Sequence, residues 1–222
     1  NGLEDVLERA EWLAEADFAV VMEPTDLSLE LGCNGVINAD VIFHGKAAHS
    51  ARPWLGENAI TKAGEWLASL HARPPTVVGM HGLEYREVFS VTKASGGVAN
   101  NVLPAEFTVN VNYRFPPTYS IDQAEDRLRA LAEPADLVEV TDRAPAGTIP
   151  EGNTHLSRRD DLVGGDITAK QGWTDVARLT ARGIPAVNYG PGEVAQAHQA
   201  GESVTTANLE AAFDVLRRFL LT

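Results

Sequence analysis

Residues 106–115, Glu-Phe-Thr-Val-Asn-Val-Asn-Tyr-Arg-Phe, decide how the middle of the chain is read. Apolar Phe107, Val109, Val111, Tyr113 and Phe115 take every second place, the period of a strand with one face buried. Working outward, residues 35–44 (GVINADVIFH) alternate well enough for a second half-buried strand, and 87–94 (EVFSVTKA) read as a third. Residues 57–72 predict a helix with Ile60, Ala63, Leu67 and Leu70 on one face. Ser120 and Gln123 make a capping box for a helix carrying Ile121, Ala124, Leu128 and Leu131, and 137–141 (LVEVT) give a last strand. The order β-α-β-β-α-β is the ferredoxin-like arrangement, with two helices on one face of an antiparallel sheet.

The flanks have another style. Leu3, Val6, Leu7, Ala10 and Leu13 recur at helical spacing, so residues from about 2 to 14 predict an amphipathic helix. Phe18–Met22 is a short apolar run that suits a buried strand of a parallel sheet, and Glu23-Pro24-Thr25 follows at once. Residues 175–182 predict a helix stopped by Gly183 with Pro185 beyond it. Ala186–Tyr189 is a strand running into Gly190-Pro191-Gly192, and a final helix carries Leu209, Phe213, Leu216 and Phe219. The stretch 142–168, rich in Gly, Pro, Asp and Arg, shows only weak periodicity. The expected organisation is an α/β domain (1–33 and 143–222) interrupted by an α+β insert (34–142).

Eighteen basic against 31 acidic side chains give a formal charge of −13, which argues against nucleic-acid and anionic-membrane partners. Cys33 is the single cysteine, so no intrachain disulfide forms, and it reads as a small buried apolar residue. No apolar run reaches transmembrane length, nothing resembles a signal peptide, and a soluble cytoplasmic enzyme is the default. The chain starts at Asn1, not Met, and opens on a helix pattern, which leads us to expect a fragment.

Several polar residues invite chemistry. Glu23 at a strand's carboxyl end is a hard oxygen donor suited to Zn, Mn or Mg, and equally a capping or salt-bridged acid. His198, in a loop among Gly190, Gly192 and Gly201, is placed as an imidazole ligand or an ordinary exposed histidine. His49, among small residues in His44-Gly45-Lys46-Ala47-Ala48-His49-Ser50, reads as an oxyanion donor or a turn histidine. Asn100-Asn101 are candidate ligand contacts or turn formers. Arg114 ends its strand as a carboxylate grip or a solvated edge residue. Thr174-Asp175 opens a helix, where it caps the end or faces an anion, and Trp173 beside it packs.

Taken in order, these pieces resemble the M20 family of di-zinc peptidases and deacylases. The resemblance rests on Glu23-Pro24-Thr25, Gly32-Cys33-Asn34-Gly35, His44 through Ala51, and Trp54-Leu55-Gly56-Glu57-Asn58-Ala59. It continues in Gly97-Val98-Ala99-Asn100-Asn101-Val102-Leu103-Pro104, Asn112-Tyr113-Arg114-Phe115, Gly172-Trp173-Thr174-Asp175, Pro185 through Gly190, and Ala197-His198. The wording is most similar to the family's desuccinylases of actinobacterial type, which implies removal of succinate from N-succinyl-LL-2,6-diaminopimelate. Acetylornithine deacetylases, dipeptidases and aminoacylases of the same family, and a non-catalytic dimerisation or binding module, are the alternatives.

The resemblance implies a partial zinc-peptidase-like α/β catalytic domain with an inserted ferredoxin-like lid and dimerisation domain. It implies two zinc ions, exchangeable for Co or Mn, with Glu23 and His198 as metal ligands. His49 would reach into the partner subunit's site in a homodimer and stabilise the tetrahedral intermediate. Asn100, Asn101 and Arg114, with the Gly172 and Thr174 loop, would contact substrate. The family's His-x-Asp motif, metal-bridging Asp and Glu-Glu pair are absent from these residues; they are expected upstream of Asn1, and the 222 residues alone are expected to be inactive.

Overall fold

The strand at Glu106–Phe115 (β6) sits beside the strand at Gly35–His44 (β3), antiparallel and in register from Gly35 opposite Phe115 to His44 opposite Glu106. Both strands have the bounds that their alternation predicts. The computed structural model describes residues 2–157 and 166–221, and the chain divides into two compact units. The first comprises Asn1–Asn34, Gly79–Tyr85 and Pro145–Thr222; the second comprises Gly35–Val78 and Arg86–Ala144.

The five-stranded sheet runs β4-β5-β6-β3-β7, where β4 is Thr76–Met80, β5 is Leu83–Gly96 and β7 is Leu137–Ala144, and all of it but the hairpin end at Gly79–Tyr85 belongs to the second unit. β3 lies between β6 and β7 and pairs antiparallel with both, the interleaving of a split βαβ arrangement. Ile37, Ala39, Val41 and Phe43 of β3, with the odd-numbered residues 107–115 of β6, are buried on one face. Two helical segments pack on that face. Trp66 lies 5.3 Å from the Phe43 ring and donates its indole N–H to the Leu131 carbonyl at 2.9 Å, tying the segments together.

The expected helix 57–72 is broken into α2 (Ala59–Lys62) and α3 (Gly64–His71), where Gly64 weakens the helical run. Its core stripe is Ala59, Ala63, Trp66 and Leu70; the expected Ala63 and Leu70 are in it, whereas Ile60 is 38% exposed, and Asn58 caps α2 by accepting the Ile60 and Thr61 N–H groups. The Ser120–Gln123 capping box is present at the start of α4 (Ile121–Leu131), which buries Ala124 and Leu128. Strand β4 was not expected. It joins β5 through His81 and Gly82, both at positive φ, as a type I′ hairpin turn requires.

In the first unit a short mixed sheet runs β1-β9-β2-β8, with β1 Ala19–Val21, β2 Leu29–Leu31, β8 Ile167–Ala169 and β9 Ala186–Asn188. β1 pairs parallel with β9 and β2 parallel with β8, while β2 and β9 run antiparallel. Neighbouring residues of β9 enter different cores. Ala186 packs with Cys33, Val176 and Leu179, and Val187 with Leu29, Leu31 and Ala212, so helices cover both sheet faces.

The expected helix 2–14 stops at Arg9 as α1 (Gly2–Arg9), and Glu11–Glu15 is a 3-10 turn, because Ala10 leaves helical geometry at φ −106°, ψ 75°. The segment Val176–Ala181 (α6) ends before Gly183, whose φ of +79° makes the left-handed exit only glycine adopts freely. The last helix, Thr206–Leu221 (α7), is rotated from expectation. Ala212, Val215, Leu216 and Phe219 face inward, and Leu209 and Phe213 are exposed. In the weakly periodic stretch 142–168, β7 reaches Ala144 and Thr154–Ser157 (α5) forms one helical turn, whereas 158–165 lie outside the described residues.

Candidate functional site

β1 and β9 are parallel neighbours, so the loops leaving their carboxyl ends lie side by side. Glu23 stands in the first of these loops and His198 follows the second. The loops are laced together at Thr25, which is 2% exposed. Its hydroxyl donates to the Ser28 carbonyl at 2.7 Å and accepts the Gly190 N–H at 3.0 Å. The Asp26 and Leu27 amides donate to the Gly192 and Gly190 carbonyls, with both residues held at positive φ. A Cβ on Gly190 would stand 2.3 Å from the Glu23 carbonyl oxygen, so this approach admits no side chain. His198 sits at φ +64°, an uncommon region for a residue that carries a Cβ, and its N–H donates to the Glu202 carboxylate at 3.1 Å.

The segment after β8 supplies the third wall. Lys170 is 8% exposed; its ammonium lies 2.6 Å from Glu30 Oε2 and donates to the Pro24 carbonyl at 3.0 Å. Thr174 is buried, and its hydroxyl has no partner among the described residues. Glu23, Lys170, Gly172, Thr174, Ala197 and His198 line one cleft of about 240 Å³. The expected cap at Thr174-Asp175 is not made. The Asp175 carboxylate instead accepts from Arg178 at 3.1 Å, and the Arg178 guanidinium lies 4.9 Å over the Trp173 ring. Cys33 is buried against the Thr174 carbonyl, and burial raises its thiol pKa, which suits a packing residue.

A carboxylate and an imidazole are apt zinc donors, but a catalytic zinc takes three protein ligands. Among the described residues no group of three or more His, Cys, Asp or Glu side chains gathers to hold a metal ion. Glu23 and His198 are therefore donors of the right kind and too few for a centre of their own.

The remaining candidates belong to the second unit. His49 and Val102 form an isolated antiparallel bridge, flanked by Ser50 N–H to the Asn101 carbonyl at 2.9 Å and Leu103 N–H to the Ala48 carbonyl at 2.8 Å. This brings His49, Asn100 and Asn101, some 50 positions apart, to one exposed end of the sheet. His49 Nδ1 accepts the Ala51 N–H at 3.1 Å, so the ring proton sits on Nε2 as an available donor. His44 lies 4.0 Å from the Glu106 carboxylate.

Arg114 is elsewhere. Eight strand steps from Glu106 put it about 26 Å along β6 from the His49 end, so one subunit does not bring Arg114 and His49 to one small ligand. Arg114 Nε donates to Asn112 Oδ1 at 2.9 Å, and Asn112 Nδ2 donates to Asn38 Oδ1 at 2.8 Å. Burial lowers the Arg114 pKa. Sequence reasoning missed Lys170, Glu30 and Asn112. Asn112 had a readable signal, a polar place on the same strand face two residues before an arginine.

No helix among the described residues is long and apolar enough to cross a membrane. A family model described as the peptidase dimerisation domain, M20_dimer, matches residues 31–139. A Mycobacterium tuberculosis protein provisionally named succinyl-diaminopimelate desuccinylase is 42% identical over 223 residues, covering 99% of this chain and 62% of that protein. The succinyl-diaminopimelate desuccinylase of Corynebacterium glutamicum is 37% identical over 226 residues, covering 99% of this chain and 61% of that protein. The chain thus spans about three fifths of the length of these curated relatives. The solved structure of aminopeptidase PepT from Bacillus cereus shares the fold, with a TM-score of 0.70 at 19% identity over 91% of this chain and 55% of that one. The chain belongs to the M20 peptidase family, of which it carries the dimerisation domain.

Proposed function

We propose that this chain is part of a metal-dependent amide hydrolase that removes succinate from N-succinyl-LL-2,6-diaminopimelate. The observation that carries the reading is the cleft in which Glu23 and His198 stand together with Gly172 and Thr174. The two named desuccinylases, similar over nearly the whole chain, support the substrate assignment. In this reading residues 1–33 and 143–222 belong to the catalytic domain and 34–142 form the lid through which two copies pair. Glu23 and His198 each lend one metal ligand, and the other ligands and the general base come from outside these 222 residues. The metal, zinc or an exchangeable Co or Mn, supplies Lewis-acid chemistry when bound.

The chain's own residues have separate tasks. His49 donates its Nε2–H to the oxyanion that forms at the amide carbonyl. In this reading it does so in the partner subunit's site, as the resemblance to the family's dimers implies. Asn100, Asn101 and Arg114 hold substrate polar groups, with Arg114 matched to a carboxylate.

A substrate panel on the complete protein tests the assignment. Succinyl-diaminopimelate is expected to be cleaved in preference to acetylornithine and to dipeptides. Preference for acetylornithine would end the desuccinylase reading while leaving the hydrolase class. A peptidase is the second reading, favoured by a probable carboxypeptidase of Aspergillus fumigatus, 33% identical over 200 residues.

A further inference from the structure

Arg114 is a half-buried cation whose hydrogen bond goes to a neutral amide, and among the described residues no carboxylate lies against it. We propose that Asn112, held by Asn38, is a positioning residue that aims the Arg114 guanidinium at a ligand carboxylate; this rests on reading Arg114 as a carboxylate-binding residue.

The argument is geometric. A guanidinium presents its donors in a rigid planar fork. With Nε committed to Asn112 Oδ1 at 2.9 Å, the two terminal nitrogens remain as the end-on pair that a carboxylate accepts with both oxygens. Asn112 cannot swing freely. Its Nδ2 donates to Asn38 Oδ1 at 2.8 Å, so one end of the amide is fixed as donor and the other as acceptor. Asn38 and Asn112 are opposite each other in the β3–β6 register, and Arg114 is the next residue on that face.

The amide's neutrality matters as much as its shape. Aspartate at 112 would also accept from Nε, but its charge would pair with the guanidinium and remove the attraction for an incoming anion. Asparagine orients the cation without neutralising it. Burial, which lowers the Arg114 pKa, disfavours the bare charge, a cost that a paired carboxylate would relieve.

Succinate binding to the complete protein, measured by calorimetry with the neutral diamide of succinate as control, tests the proposal. Wild type is expected to bind succinate and not the diamide, and Arg114→Met to lose binding. Asn112→Ala is expected to weaken it roughly tenfold, the scale of one hydrogen bond to a charged group. Asn112→Asp is expected to abolish binding while the circular dichroism spectrum stays that of wild type. If Arg114→Met loses binding but Asn112→Ala or Asn112→Asp binds as wild type does, the positioning role is wrong and the carboxylate reading of Arg114 stands. If wild type does not bind millimolar succinate, or Arg114→Met binds it equally well, the reading of Arg114 itself fails.

Discussion

Thr25 Oγ1 accepts the Gly190 N–H at 3.0 Å across 165 positions of sequence, and this bond fastens the loop of Glu23 to the loop that leads to His198. Replacing Thr25 by Val keeps the volume and leaves the Gly190 N–H buried without an acceptor, a loss of about 1–3 kcal/mol. Gly190→Ala adds a methyl against the Glu23 carbonyl and is expected to cost a similar amount. Urea titration checks both; midpoints within error of wild type would show that the two loops are not mutually supported.

His198 has a φ of +64°, which only glycine adopts without cost. His198→Gly is expected to raise the stability of the chain by about 1 kcal/mol while removing the activity of the complete protein. A stabilised but inactive variant is the signature of strain kept for function. A variant that melts lower than wild type would place the histidine's value in packing instead.

The second unit carries a buried acid whose charge is defended. Glu87 is 3% exposed, receives two bonds from the Arg127 fork at 2.8 Å each and one from the Tyr113 hydroxyl at 2.6 Å. Burial by itself would raise its pKa, but Arg127 and Tyr113 together hold it below the ordinary 4.5. A carboxyl whose folded pKa is depressed contributes stability that is complete above its unfolded value and is lost as pH falls through the folded one. Melting temperature is therefore expected to fall below about pH 4.5 more steeply in wild type than in Glu87→Gln. Parallel melting curves of the two proteins across that range would contradict this.

His49→Ala in the complete protein is expected to lower kcat by roughly two to three orders of magnitude, as for loss of one oxyanion donor. If His49 serves the partner's site, mixing the inactive His49→Ala and His198→Ala proteins under conditions of subunit exchange restores activity, because mixed dimers contain one site with both histidines. Near-normal turnover by His49→Ala removes it from the mechanism; no recovery on mixing removes the exchange between subunits.

How much was legible in the sequence depended on segment length and period. β3 and β6 are ten residues each; β6 alternates throughout and β3 does so from Ile37 on in burial, so a period of two was readable and their ends were placed correctly. β2 and β8 are three residues each and hold no period to read. β4 has mostly exposed residues, so its Val77 and Val78 carry no burial signal. In α7 apolar residues occupy more than one face, and the pattern chose Leu209 and Phe213 where packing chose Ala212 and Val215. The neighbourhood of Glu23 and His198 could be anticipated because each follows a strand. Lys170 could not, since its partners Glu30 and Pro24 are about 140 positions away and meet it only through the sheet. Arg114 and His49 were grouped by resemblance, and only the register separates them along β6.

That register has a consequence for how this sheet tolerates change. Odd-numbered residues of β3 and β6 fill the core, while Asn38, Asn112 and Arg114 occupy the opposite face at even positions. Deleting one residue inside β6 reverses the facing of every residue on one side of the gap, so a shift of the carboxyl-terminal part turns Phe115 toward solvent and Arg114 toward the helices together. At that end of the strand, a variant that keeps Phe115 in the core also keeps the guanidinium of Arg114 on the opposite face.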